Sequence, residues 1–277
     1  MTIERILEEL IKIFVNIVVP GLAGITFFAL AKFVKHIAPL RALVSSAQTY
    51  KAAFWGFLIF GIYLCLRPVQ VLAGPHPWPL IISCLREFLL IGIFGPAGLV
   101  AILTLCYGSE KISKYWVMVI FLLGIGLAVL FCLANAMAIG GSKEIVKLGK
   151  LTAYDGLWYD SGAENVSQLM LILFVVRLIN PAFFLFIAGT LVIYHSIRYP
   201  EQKKKQYDNM PKKLLILGCS VYTFVIALVA GSLFYGFRSV PDQWAIYHFG
   251  ALIAGILETI SLSMPVRKEV QISEHAD

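Results

Sequence analysis

Charged residues are scarce in this 277-residue sequence: they make up 14% of it, whereas hydrophobic residues make up 59%. The mean hydropathy of +0.82 lies well outside the usual composition of a soluble globular domain. A helix needs roughly 20 mostly apolar residues to cross the hydrocarbon layer of a membrane. The scarcity of charge therefore excludes an ordinary soluble domain and predicts an integral membrane protein.

Catalytic and metal-binding motifs are also missing. The sequence contains no GxSxG elbow, HExxH pair, Walker loop or acidic magnesium cluster. Its five cysteines lie scattered inside or at the ends of apolar segments, without the spacing of a metal site. The last apolar segment has no lysine for a retinal Schiff base. These absences favour a non-catalytic protein without a metal site.

What the sequence does contain is a series of apolar segments of membrane-spanning length. They lie at about 10–33, 52–73, 80–106, 115–139, 168–196, 214–236 and 243–264. We expect an all-α polytopic membrane protein, with a single bundle of about seven transmembrane helices over 1–264 and a short tail over 265–277.

The distribution of lysine and arginine predicts the orientation of the bundle. These residues concentrate in the loops after the first, third and fifth segments, including the basic loop 197–213, and in the tail. Positive residues favour the cytoplasmic side, so we expect an outside N-terminus and a cytoplasmic C-terminus. The cytoplasmic (inner) membrane of a bacterium or archaeon is the expected location.

One outside connection is long, and it covers 140–167. Its first part, 143–151, mixes basic and apolar residues, and several aromatic residues follow. This pattern predicts a helix lying in the membrane interface. The connection is then either a loop anchored to the membrane or a lid over an outward-facing cavity.

Ionisable residues inside the spans gather at one predicted depth, in the outer leaflet. Such residues are costly in a membrane and often mark functional sites. One interpretation is a structural pair between Glu87 and Arg177, with the other arginines reaching lipid phosphates. The other is a pocket for an anionic or strongly hydrogen-bonding ligand, with the following candidate residues: Arg67, Arg86, Glu87, Arg177, Asn180, Trp244, Tyr247 and His248.

Prolines in three spans predict local irregularity. Pro20, Pro96 and Pro181 each remove a backbone donor, and glycines accompany the first two. These positions could be bends or sites of close helix packing. Glu258 stands alone in the predicted inner half of the last span, where it could carry a proton, accept a cation or simply reach water.

Three classes of function follow. We favour a receptor-like module or accessory subunit that binds a small anionic or polar ligand in the outer-leaflet pocket and acts through a partner protein, because the tail is too short to hold an output domain. The alternatives are a quinone-interacting membrane subunit of a redox complex and a transporter or channel.

The sequence also gives some indication of which cofactors and partners the protein binds. The histidines are poorly placed for haem, because only His248 lies well within a span and His76 is its one conceivable partner in that leaflet. His248 with nearby arginines would suit a quinone carbonyl instead. The basic residues lie next to apolar spans rather than on an aromatic-studded polar surface. We therefore expect contact with membrane lipid and a larger membrane complex, and no binding of nucleic acid.

Overall fold

A computed structural model of the chain describes residues 3–41, 47–75, 77–159, 183–200, 209–238 and 244–264. The described part of the chain is mostly helical. Among the described residues, six helices are long and apolar enough to cross a membrane: Ile3–His36, Thr49–Leu72, Trp78–Tyr107, Lys114–Leu133, Met210–Gly231 and Ala245–Ser263. This is the architecture of an integral membrane protein, as the composition predicts.

The predicted fifth span, 168–196, lies partly outside the described residues. Its second half belongs to an apolar helix, Phe183–Ile197, which is shorter than the other six. The count of seven spans therefore stays a prediction.

The described elements follow in this order along the chain. The first span contains α1 (Ile3–Ile13), a π-helical turn (Phe14–Val18) and α2 (Val19–Arg41), and α3 is Ala47–Leu72. The third span contains α4 (Trp78–Glu87), a second π-helical turn (Phe88–Phe94) and α5 (Gly95–Tyr107). A 3₁₀ turn (Ser109–Lys111), α6 (Lys114–Ala138), β1 (Ile139–Leu148), β2 (Leu151–Tyr159), α7 (Phe183–Ile197), α8 (Met210–Arg238) and α9 (Trp244–Ser263) complete the described elements.

Each π-helical turn ends two residues before a proline. In both turns the backbone makes the wider hydrogen bond of a π-helix, from the N–H of Val19 to Phe14 O and from the N–H of Gly95 to Leu90 O. Pro20 and Pro96 have no N–H to continue an α-helical ladder. The irregular turns therefore lie where the prolines predict local irregularity.

Small residues let the helices approach closely. A Cβ atom added at Gly24 on α2 would lie 3.0 Å from the Gly61 carbonyl oxygen on α3. One added at Gly124 on α6 would contact the Pro96 ring and lie 3.1 Å from Ile91 O. Only glycine permits these approaches, so the backbones pack directly against each other.

The centre of the bundle is aromatic. Phe60 on α3 stacks on Phe94 at a ring-centroid distance of 4.2 Å. It also makes edge-on contacts with Phe224 on α8 at 4.9 Å and Phe27 on α2 at 4.6 Å. This set of rings joins four parts of the chain in one apolar core.

The segment predicted as an interfacial helix is instead an antiparallel β-hairpin, so that prediction is wrong. β1 and β2 pair from Ile139 with Tyr159 to Leu148 with Leu151. Gly149 occupies the two-residue turn with φ of 61°, a conformation that glycine adopts without strain. A mixture of basic and apolar residues is compatible with a strand that is buried on one side as well as with an amphipathic helix.

Candidate functional site

Six polar side chains are buried together at the end of the bundle that carries the hairpin. We call Asn16, Arg67, Gln70, Arg86, Glu87 and His248 the polar cluster. None of them is more than 4% exposed. They come from the first π-helical turn, α3, α4 and α9, so only the folded bundle brings them together.

Gln70 joins the two arginines of the cluster. Its Oε1 accepts a hydrogen bond from Arg67 Nη1 at 3.2 Å and another from Arg86 Nη1 at 2.5 Å. Its Nε2 donates to the carbonyl oxygen of Pro79 at 3.4 Å. Two guanidinium groups therefore converge on one neutral carboxamide oxygen.

Arg86 is held on α4 by further contacts with α3. Its Nε donates to the Tyr63 carbonyl oxygen at 3.1 Å, and the guanidinium carbon lies 4.6 Å from the centre of the Tyr63 ring. Within the described part of the chain, its buried Nη2 has no hydrogen-bond partner. Tyr63 and Gln70, which make these contacts with Arg86, are both neutral.

Arg67 connects the cluster to the first span. Its Nη2 donates to Asn16 Oδ1 at 2.7 Å, and Asn16 Nδ2 donates to the Lys12 carbonyl oxygen at 3.0 Å. Asn16 lies inside the first π-helical turn. The irregular backbone before Pro20 therefore places an amide side chain against α3.

His248 completes the polar cluster from the start of α9, where it and the neighbouring Tyr247 are both fully buried. His248 lies within electrostatic range of Arg67 and Arg86 and beside the main chain of Val15. The Tyr247 ring meets Tyr63 edge-on at 6.2 Å. The aromatic rings thus separate the polar cluster from the apolar core around Phe60.

The hairpin packs against helices that carry or adjoin the cluster, namely α1, α3 and α4. Its residues Ile145, Val146 and Ala153 are buried against Val71 of α3, with Ile13 and Ile17 packed around them. The backbone N–H of Lys147 donates to Glu9 Oε2 on α1 at 2.9 Å. The hairpin also packs against α4, so it is docked on the first span, α3 and α4, and its contacts include one charge-assisted hydrogen bond and a small apolar patch.

The structure brings together most of the residues that the sequence singles out. Arg67, Arg86, Glu87, Tyr247 and His248 are buried at one end of the bundle, and Trp244 is the first residue of α9. Arg177 and Asn180 lie outside the described residues, so the predicted pair between Glu87 and Arg177 stays a prediction.

Sequence reasoning missed Asn16, Gln70 and Tyr63. Neutral amides in an apolar run carry a weaker signal than charges, because a neutral amide is less costly to bury than an ionised group. Gln70 could have been found from its spacing, since residues three apart lie on one face of a helix and Gln70 follows Arg67 by three.

The described residues contain no group of three or more His, Cys, Asp or Glu side chains that could hold a metal ion. No protein-family model, curated protein or solved structure matches the chain.

Proposed function

We propose that the chain is a receptor-like module or accessory subunit that binds a small anionic or polar ligand at the polar cluster and acts through a partner protein. One observation carries the proposal: Arg86 is buried, contacts neutral groups, and has an Nη2 donor without a partner among the described residues. Burying a guanidinium is costly unless an anion or strong acceptor balances it. A ligand oxygen at Nη2 would supply that acceptor.

The arrangement around Gln70 supports an anionic ligand. Arg67 and Arg86 donate to the same oxygen, so their positive charges are held close together away from water. Repulsion between like charges is strong in a low-dielectric environment. An anion bound beside the two guanidinium groups would offset this repulsion and form charge-assisted hydrogen bonds.

The hairpin would control access to this site. It lies against α1, α3 and α4 near the cluster, and its described attachment includes a small apolar patch and the bond between Lys147 and Glu9. Elements with few buried contacts open at lower free energy than the core around them. Movement of the hairpin would admit the ligand and would change the surface to which a partner protein binds.

We further propose seven spans, an outside N-terminus and a cytoplasmic C-terminus, in the cytoplasmic membrane of a bacterium or archaeon. The basic loops and tail support this orientation. It would place the hairpin and the polar cluster on the outer side. A green fluorescent protein fused after Asp277 should fluoresce and an alkaline phosphatase fused there should be inactive, and the reverse pattern would contradict the orientation.

Binding is tested on protein released gently from its native membrane and examined by native mass spectrometry. We expect the wild type to retain a small polar or anionic molecule and a partner protein. Arg86→Gln should lose the small molecule. Arg198→Gln is the matched control, because the Arg198 guanidinium also lies over a tyrosine ring, at 5.0 Å from Tyr194, but is exposed.

Equal retention by the two variants would contradict the assigned site. A wild-type protein that carries neither a small molecule nor a partner would contradict the function itself. Transport remains a separate hypothesis, and flux of the retained molecule into liposomes would select it.

A quinone is the second candidate ligand, favoured by the position of His248 beside Arg67 and Arg86. These side chains could donate to a quinone carbonyl, and the buried rings of Tyr63 and Tyr247 would flank the quinone ring. A quinone present at one per protein in the organic extract of the wild type, and absent from Arg86→Gln, would select this alternative.

A further inference from the structure

A second candidate site lies on the other side of the aromatic core. A cavity of about 160 Å³ opens between α2, α3, α5, α7, α8 and α9. Its wall on the side of Tyr63 consists of phenylalanines: Phe27, Phe57, Phe60, Phe94 and Phe224. Its polar residues are Thr49, Tyr50, Lys213 and Glu258. None of the polar-cluster residues lines it, so it is distinct from the site proposed above.

Small residues create this cavity. Gly56, Gly98, Ala101 and Ala188 line it, where larger side chains would fill the space. Gly56 is buried in the middle of α3, yet a Cβ atom added there would meet nothing within 4 Å. Glycine is unfavourable inside a helix unless packing or function requires it. Here packing does not require it, because there is room for a side chain.

Glu258 provides a polar group at the wall of the cavity. It is 9% exposed, and its Oε2 has no hydrogen-bond partner within the described ranges. The hydroxyl of Ser220 lies beside this carboxyl group but donates to the Ala254 carbonyl oxygen at 2.9 Å. A buried carboxyl oxygen without a partner is costly, and a donor on a bound molecule would satisfy it.

We propose that this cavity binds a compact apolar molecule that carries one hydrogen-bond donor, a hydroxyl or an amine. The apolar part would pack against the phenylalanines while the donor reaches Glu258 Oε2. The size is suitable, because an apolar cavity of about 150 Å³ in another protein binds benzene. The occupant is therefore about one ring in size rather than a whole lipid.

Two isomeric probes test the proposal with the full-length protein in lipid nanodiscs. Para-fluorobenzyl alcohol has a hydroxyl donor, whereas para-fluoroanisole has the same atoms and no donor. Binding is followed by fluorine NMR as a saturable exchange of each probe. We expect the alcohol to bind about tenfold more tightly than the ether, because only the alcohol can donate to Glu258.

Three variants distinguish the cavity from partition into lipid. Gly56→Leu should fill the space and abolish saturable binding of both probes, without a clash at its Cβ. Gly126→Leu is the matched control, since Gly126 is an exposed helical glycine with nothing within 4 Å of an added Cβ. Glu258→Leu should weaken binding of the alcohol to that of the ether.

Equal affinities of the wild type for the two isomers would overturn the role of Glu258. Unchanged binding by Gly56→Leu would overturn the cavity as the site. A melting temperature measured for each variant separates loss of binding from loss of folding, and Gly126→Leu must bind both probes as the wild type does.

Discussion

Replacing Gln70 with methionine should destabilise the protein strongly, because it removes the oxygen that both arginines share. The side chain is fully buried, and its Oε1 accepts from Arg67 at 3.2 Å and from Arg86 at 2.5 Å. A hydrogen bond to a charged group contributes about 1.5–3 kcal/mol, and the loss of a buried partner of a charge costs about 3–5 kcal/mol. We expect Gln70→Met to lower the free energy of unfolding by about 3–5 kcal/mol.

Gln70→Glu separates the effect of charge from that of shape. It keeps the acceptor oxygens and adds a negative charge between two arginines, while it loses the long bond to Pro79 at 3.4 Å. We expect its stability to lie within about 1 kcal/mol of the wild type. The control is Thr223→Ala, because Thr223 is only partly buried and its hydroxyl bonds to Cys219 O of its own helix.

The assay is equilibrium unfolding in mixed micelles titrated with a denaturing detergent and followed by tryptophan fluorescence. The control should change stability by less than about 0.5 kcal/mol. The reasoning is refuted if Gln70→Met matches the control. It is also refuted if Gln70→Glu is as unstable as Gln70→Met, because the convergence of two positive charges would then have no energetic consequence.

Three further substitutions test the helix packing and the docking of the hairpin. Gly124→Ala should cost about 1–3 kcal/mol in the same titration, because its Cβ would press on the Pro96 ring, whereas Gly126→Ala should be neutral or stabilising. Gly149→Val should accelerate hydrogen exchange throughout the hairpin and leave the helices unchanged, since a β-branched residue is strained at φ of 61°. Glu9→Ala should speed exchange of the Lys147 amide by about tenfold through loss of its acceptor, and an unchanged rate would show that the bond does not hold the hairpin.

The spans could be predicted from the sequence because length and apolarity are local properties. The predicted segment 52–73 corresponds to the span Thr49–Leu72, and 243–264 corresponds to Ala245–Ser263. A run of about 20 apolar residues has few alternatives to a membrane-spanning helix, whichever neighbours it packs against.

The hairpin could not be predicted in the same way. A segment of ten residues with mixed apolar and basic side chains is compatible with a helix or a strand, and its tertiary partners decide between them. Those partners, Val71 and Glu9, are distant in the sequence. Gly149 was a local indication of a turn, since a central glycine between two apolar runs is typical of a hairpin.

The candidate site was predicted only as far as charge reveals it. Arg67, Arg86 and Glu87 stand out because ionised groups are rare inside spans. Asn16 and Gln70 do not, although their side-chain oxygens accept three hydrogen bonds from the two arginines of the cluster. Which helix faces pack against each other depends on tertiary contacts, and these cannot be read from the pattern of a single sequence.

The second π-helical turn, Phe88–Phe94, divides the third span into two halves, and it changes which neighbours the side chains of the second half face. A π turn holds one more residue than the α-helical turn it replaces, so the half after it is rotated by about 100° relative to an unbroken helix. Arg86 before the turn can therefore contact α3 while Ala101 after it lines the cavity. A single helical wheel drawn through the whole span would therefore place one of these faces wrongly. Deleting one residue from the π turn would remove the rotation, whereas a substitution would leave the number of residues in the turn unchanged.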